Sequence, residues 1–375
     1  MPGLRTTVVV YRLVFYIAIA ALFLVAPKVV WAACPDWPEW RTFSEQFIQA
    51  DGRVIDRDAQ SVTTSEGQAY ALFFALAAND RQQFERLLRW TSDNLAQGDL
   101  SKHLPAWQWG KAADGGWKVL DANPASDADL WLSYTLMQAG KLWKHPEYTH
   151  LGRALLHNIA SHEVVNLPGA GPMLLPAPYG FTPEPGVWRL NPSYLPIQVL
   201  RYLSLNDRKG PWGKIAAQVP DMLRATVVQG TVPDWVRFTE GKGFGSDLEK
   251  GGYAGYESIR VYLWWGMLDS RDPAYKALRE ILVPAKRWLS ARQTLFEKVH
   301  VQTGAGSGEA PIAFYGAWTP YLRRAAGAVD VKTPASALPR TYYDHALSLF
   351  GRGWTQYFNF SADGTLDVSW RRCGH

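Results

Sequence analysis

Apolar positions recur with helical period over most of the chain. After Thr63-Thr64, the residues Ala69, Leu72, Phe73 and Leu76 mark one face of a helix ending near Ala78, with Ser65 and Gln68 at capping-box spacing. Asp80 and Gln83 repeat that spacing ahead of a stripe of Phe84, Leu87, Leu88 and Leu95, so 65–97 predicts an antiparallel helix pair. Ser126 and Asp129 open the next pair. Leu132, Leu136, Ala139 and Trp143 line its first helix, Pro146 begins the second, and Leu151, Leu155 and Ile159 continue there. Further helices are expected at 38–49, 192–205, 214–228, 253–268, 273–292, 312–325 and 342–350, with strand-like alternation only in short pieces such as Thr365 to Trp370. About eleven or twelve helices in consecutive pairs predict an all-α toroid of helix hairpins.

The connections 98–125, 163–190 and 229–251 are long for a compact helical domain, and long loops often carry function. Trp107, Trp109, Trp117, Trp188 and Trp235 fall in them. Flat aromatic faces suit the apolar faces of pyranose rings, so at least three of these five are expected to line a groove. The Pro/Gly-rich stretches 167–186, 303–311 and 332–339 are each flanked by helical pattern, and none is a long polar tether. They predict loops on one body.

The first residues change the picture of where the chain works. Arg5 and Arg12 precede an uninterrupted apolar run from Leu13 to Ala26, and Val30-Trp31-Ala32 has the form of a cleavage site. The fourteen residues of that run fall short of the roughly 20 needed to span a bilayer, which predicts a secretory signal over 1–32 and a mature chain over 33–375. The localisation expected is periplasmic or secreted, with no stable membrane insertion after signal cleavage; an uncleaved anchor is the competing reading. Removing 1–32 removes Arg5, Arg12 and Lys28 and no acid, leaving 36 basic against 34 acidic residues and a net charge of +2. With no Lys/Arg block, nucleic acid is not an expected partner, and a neutral polymer is. The two cysteines, Cys34 and Cys373, read as one disulfide in an oxidising compartment, worth about 4–5 kcal/mol in the chain-entropy model. Acylation of Cys34 is the alternative, although Trp31 makes a poor lipobox.

Three acidic places could carry chemistry. Glu66 stands in the first turn of a predicted helix, where the helix dipole alone would favour an acid. Asp127 and Asp129 stand in the first turn of another and could be merely cap residues. Glu257 and Arg260 lie one turn apart in a run of apolar and aromatic residues, where a solvent-facing ion pair fits poorly and a buried, hydrogen-bonded one fits better. Acids in different environments in a tryptophan-rich chain suggest sugar hydrolysis, which needs one protonated acid for the leaving oxygen and one ionised carboxylate. The eight histidines include no His-Glu-x-x-His pair, and no nucleophile elbow, phosphate loop or dinucleotide fingerprint occurs, so no metal or cofactor is expected.

Five ordered motifs sharpen this: Thr64-Ser65-Glu66-Gly67-Gln68, Leu104-Pro105-Ala106-Trp107-Gln108-Trp109-Gly110, Ala125-Ser126-Asp127-Ala128-Asp129, Asn191-Pro192-Ser193-Tyr194 and Ile259-Arg260-Val261-Tyr262-Leu263-Trp264. In these the chain closely resembles glycoside hydrolase family 8, and within it the exported endoglucanases encoded with bacterial cellulose synthases. The resemblance implies an (α/α)6 barrel whose long loops form an open cleft, and inverting hydrolysis of internal β-1,4-glucosidic bonds of cellulose. It implies Glu66 as general acid, Asp127 as the acid of the family signature, and Glu257 at the position of the base, where relatives commonly carry aspartate. Trp107, Trp109, Asp129, Tyr194, Trp235 and Arg260 are the expected substrate-binding residues. β-1,4-Glucan chains are the expected partner, with the cellulose synthase complex a further possibility. A glucan-binding or assembly protein with weakened catalysis, or a hydrolase of mixed-linkage glucan, xylan or chitosan, are the alternatives.

Overall fold

The computed structural model describes residues 36–325, 339 and 341–373. Pro35–Trp370 form one compact unit, and of the remainder only Arg371–Cys373 are described. The predicted signal and Cys34 lie outside the described residues. The described helices are α1 (Pro38–Phe47), α2 (Ser65–Ala77), α3 (Arg81–Leu95), α4 (Ser126–Leu142), α5 (Pro146–His162), α6 (Ile197–Asn206), α7 (Trp212–Thr226), α8 (Ile259–Met267), α9 (Tyr275–Leu282), α10 (Ala285–Arg292), α11 (Ile312–Arg324) and α12 (Tyr342–Gly353).

Burial sorts these helices into two layers. Every residue of α2 except Glu66 is buried, and every residue of α8, because both are apolar nearly all round. By contrast α3 buries one stripe, with Phe84, Leu87, Trp90 and Leu95 on it. A helix apolar on all sides needs neighbours on all sides; a one-striped helix can face solvent. Accordingly α2, α4, α6, α8, α11 and α12 pack in that order and close back on α2. Outside them, α3 lies on α2, α5 on α4, α7 on α6, α9 on α8 and α1 on α12. This is the (α/α)6 arrangement.

Glycines let the inner layer close. A Cβ on Gly351 of α12 would stand 1.8 Å from the Gly316 carbonyl oxygen of α11, and one on Gly266 of α8 would stand 2.4 Å from Tyr321 N. Only glycine permits those approaches. Aromatic rings fill the middle, where Phe73, Trp131 and Trp264 meet Phe350 at centroid distances of 5.4, 5.2 and 5.4 Å.

The long connections are not bare loops. They carry β1 (Thr63–Thr64), β2 (Gln108–Lys111), β3 (Trp117–Asp121), β4 (Val164–Leu167), β5 (Gly171–Leu174), β6 (Val187–Leu190), β7 (Val236–Thr239), β8 (Gly243–Ser246), β9 (Tyr253–Ala254), β10 (Phe296–His300) and β11 (Gly306–Glu309). These form small antiparallel sheets, β1-β2-β3, β4-β5, β6-β7-β8 and β11-β10-β9, too short to show a period of two in the sequence. Strands β12 (Phe358–Phe360) and β13 (Leu366–Val368) make a hairpin against the ring, with Phe358 on Phe73 and Trp370 Nε1 donating to Leu76 O near the C-terminal end of α2. The opposite ends of the inner helices, where Glu66 and Asp127 sit, are left to the sheets.

Several predicted boundaries move for identifiable reasons. The helix expected at 192–205 is a 3-10 turn, Pro192–Tyr194, followed by α6, because Pro196 disfavours the helical conformation at Leu195. That expected at 273–292 is α9 and α10, broken by Pro284. That expected from 253 begins at 259, after Asp234 Oδ1 accepts from Gly255 N (2.8 Å) and Ser258 N (2.9 Å) and holds a turn there. The caps differ too. Thr64, not Ser65, caps α2, and Gln68 instead spends its amide on Val54 N, Gly52 O and Thr91. Asp80 does cap α3 through Gln83 N. No side chain caps α4, whose Ser126 donates to Leu175 O at 2.6 Å.

Candidate active site

Three inner helices bring their starts together around one guanidinium. Arg260, in the first turn of α8 and 5% exposed, donates through Nη1 to Asp127 Oδ2 (2.7 Å) and to the Tyr70 hydroxyl (3.1 Å), and through Nη2 to Glu257 Oε2. Its burial opposes its charge, but Tyr70, Glu257 and Asp127 together hold it well above its ordinary pKa. Asp127, buried in the first turn of α4, also accepts from Ala128 N at 2.8 Å. Burial pushes its carboxyl up to about 6 against the pull of Arg260.

Glu66 and Glu257 are both half-buried, but they have different company. Glu66 Oε1 accepts from the Trp107 indole at 3.2 Å, with Ser65 Oγ at 3.5 Å from Oε2. No cation donates to it among the described residues. Burial first and the nearby Asp127 second push it up to about 8, so at neutral pH it carries its proton. Glu257 lies in the turn just ahead of α8 rather than within the helix. Its Oε2 accepts from Arg260, Asn191 Nδ2 (3.0 Å) and Ser193 Oγ (3.4 Å), which leaves Oε1 as the free acceptor.

Tyrosines wall the cluster. Tyr194 lies 5.5 Å from the Arg260 Cζ, and burial with Asp127, Glu257 and Glu66 near it keeps its phenol protonated. Tyr342, at the start of α12, lies 3.4 Å from Thr64 Oγ1, and Tyr343 donates to Tyr256 O at 2.6 Å. Asp129, two residues beyond Asp127, is fully buried with Glu163 beside it.

The loop tryptophans go to different places. Trp107 reaches the Glu66 carboxyl. Trp109 and Trp117 stack at 5.2 Å with the Arg53 guanidinium 4.5 and 4.6 Å from their centroids, and line a recess of about 750 Å³ with Trp90. Trp235 stacks on Phe181 at 5.8 Å, and Trp188 packs on Phe238 at 5.8 Å. Of the five, only Trp107 is hydrogen-bonded to a candidate catalytic acid among the described residues.

A family model for glycosyl hydrolases family 8 matches residues 13–357. The chain belongs to that family. It is 43% identical over 364 residues to an endoglucanase of Xanthomonas axonopodis pv. citri, covering 94% of each chain. It is 44% identical over 358 residues to an endoglucanase of Escherichia coli O157:H7, covering 94% of this chain and 96% of that protein. Among solved structures, an endo-1,4-D-glucanase from Vibrio fischeri superposes with a TM-score of 0.83 at 35% identity, covering 90% of this chain and all of that one.

Within this family 8 chain, sequence reasoning found the four charged residues at the centre but not their supports. Nothing in the helical pattern singles out Tyr70, Tyr342 or Tyr343, and Asn191 and Ser193 stand in one of the five motifs with no role assigned to them. Glu163 carried no signal, being a lone acid after a helix.

Proposed function

We propose that this family 8 hydrolase is a secreted endo-β-1,4-glucanase that cuts internal bonds of cellulose with inversion. The observation that carries the reading is the asymmetry of its two half-buried glutamates: Glu66 holds a proton, and Glu257 is tied by Oε2 to Arg260 with Oε1 free. Glu66 gives its proton to the glycosidic oxygen as the bond to the anomeric carbon breaks. Glu257 Oε1 takes a proton from a water whose oxygen attacks that carbon from the opposite face. Asp127, fixed by Arg260, holds and distorts the sugar between them, with Tyr194 alongside. Each cut consumes one water and leaves Glu66 ionised and Glu257 protonated, to be reset through solvent. The names of the relatives support β-1,4-glucan as the substrate.

The predicted leader supports export, with 33–375 as one catalytic domain in the periplasm or outside the cell, trimming nascent or misassembled glucan beside a cellulose synthase complex. In that setting Cys34 and Cys373 form a bridge; two titratable thiols in the native exported protein would reject it. The enzymatic reading is tested on the purified mature protein with carboxymethylcellulose. Reducing ends should appear, and proton NMR of a soluble oligomer should show the α-anomer first. Binding without release would favour a glucan-binding protein, and a β-anomer first would mean retention, with Asp127 as nucleophile.

A further inference from the structure

A second acidic pair lies behind the first. Asp129 in α4 and Glu163 at the C-cap of α5 are both 0% exposed, and their carboxyls are neighbours in the interior. No donor from any other described residue reaches any of their four oxygens. The charged or titratable groups facing Asp129 are Glu163, Asp127 and Glu66, and those facing Glu163 are Asp129 and Asp127; every one is an acid. Two neighbouring carboxyls that receive no donor and no cation cannot both be ionised in a dry interior, and a proton between them satisfies an oxygen on each. Burial accordingly raises both well above the ordinary carboxylate range.

The backbone shows what the pair holds. Glu163 O accepts from Leu175 N at 2.8 Å, Leu175 O accepts from Ser126 Oγ at 2.6 Å, and Pro176 O accepts from Ser126 N at 3.0 Å. The end of α5, the strand exit after β5 and the first turn of α4 are thus tied together, and α4 has no side-chain cap of its own. Asp127 is the next residue after Ser126.

We propose that Asp129 and Glu163 share one proton, and that this pair is the positioning device that fixes the first turn of α4 and so aims Asp127 at Arg260 and the sugar. Glu163 acts through Asp129 and touches no substrate. The proposal rests on the reading of Asp127 at the reaction centre, but its proton can be counted without any activity.

Counting uses stability against pH. A buried acid whose folded pKa lies above its unfolded value of about 4 binds an extra proton in the folded state, so its contribution to stability falls as pH rises from about 4 toward the folded pKa. In Glu163→Gln the amide donates to an ionised Asp129, the hydrogen bond survives and the extra proton is gone. Melting temperature should therefore decline less steeply between about pH 5 and about pH 9 in Glu163→Gln than in the wild type, and Asp129→Asn should behave alike. An unchanged slope in both variants overturns the shared proton.

Positioning is read separately. Glu163→Ala should lower kcat roughly tenfold or more with KM within about twofold, while Glu163→Gln should restore most of kcat. Wild-type kcat in Glu163→Ala, or no better kcat in folded Glu163→Gln than in Glu163→Ala, overturns the positioning role. If Glu163→Ala does not fold, Glu163→Gln decides alone: loss of kcat to the level expected of Glu163→Ala overturns it, retention supports it. If the slope result holds while wild-type protein releases no reducing ends, the pair stands and the hydrolase mechanism fails.

Discussion

Glu66 and Glu257 are the same side chain, half-buried at the same end of one ring, yet they keep different company. Around Glu66 the neighbours are a neutral indole, a hydroxyl and another acid. Around Glu257 they are a guanidinium, an amide and a hydroxyl, all directed at one oxygen. The lesson is that surroundings, not residue type, set a carboxyl apart: burial with no cation donating to it keeps the proton on Glu66, while Arg260, Asn191 and Ser193 anchor one oxygen of Glu257 and leave the other open.

The strongest test of that contrast removes the proton. Glu66→Gln should lower kcat by about 10²–10⁴-fold while oligosaccharide binding by calorimetry stays near wild type, since shape is kept and the proton is not. Next, Glu257→Gln should cost about 10²-fold or more, whereas Glu257→Asp should keep a substantial part of the rate, since the shorter acid leaves more room for water. Near-normal turnover in Glu257→Gln would move attention to Asp234, whose Oδ1 is occupied by the turn before α8.

A gentler test follows the pH profile of kcat/KM. On the proposed mechanism Glu66 works protonated, so its contribution is full well below about 8 and is lost as pH rises through that value; Asp127 works ionised there, so activity falls as pH drops through about 6. A bell with limbs near those values is expected, as properties of the coupled cluster rather than of single residues. The smallest effect is that of Trp107→Phe. The indole donor favours the ionised form of Glu66, so its loss should move the alkaline limb upward by less than about one pH unit. A downward shift would show that Trp107 instead steadies the proton.

Much of this was legible in the sequence because periodicity and burial share a cause. The inner helices α2 and α8 are apolar nearly all round, the outer α3 is striped, and pairing followed from short connections. Glu257 and Arg260 were legible as charges set among apolar residues, and Glu66 and Asp127 as first-turn acids that gained weight from the ordered motifs around them. The sheets were not, because strands of two to five residues carry no countable period. Nor was the division of labour among tryptophans: Trp107 and Trp109 are two apart in sequence, but a bulge in the β2–β3 ladder falls beside Trp109, and Arg53, from a distant loop, gathers Trp109 and Trp117. Glu163 was invisible because its partner, Asp129, is supplied only by tertiary packing.

The contact between Thr64 Oγ1 and the Tyr342 hydroxyl joins residues 278 positions apart, and it sits beside Glu66. A contact closing so long a loop is favoured only once the intervening helices are in place, since loop entropy must be offset before the contact is gained. Ring closure and completion of the Glu66 surroundings therefore depend on the same contact between α2 and α12. An incomplete chain, however much of α2, α4 and α8 it has formed, lacks the α12 wall that shields the acid from water, and its Glu66 should ionise like an ordinary glutamate. The wall that α12 supplies beside Glu66 thus ties the state of that acid to closure of the ring, not to α2 alone.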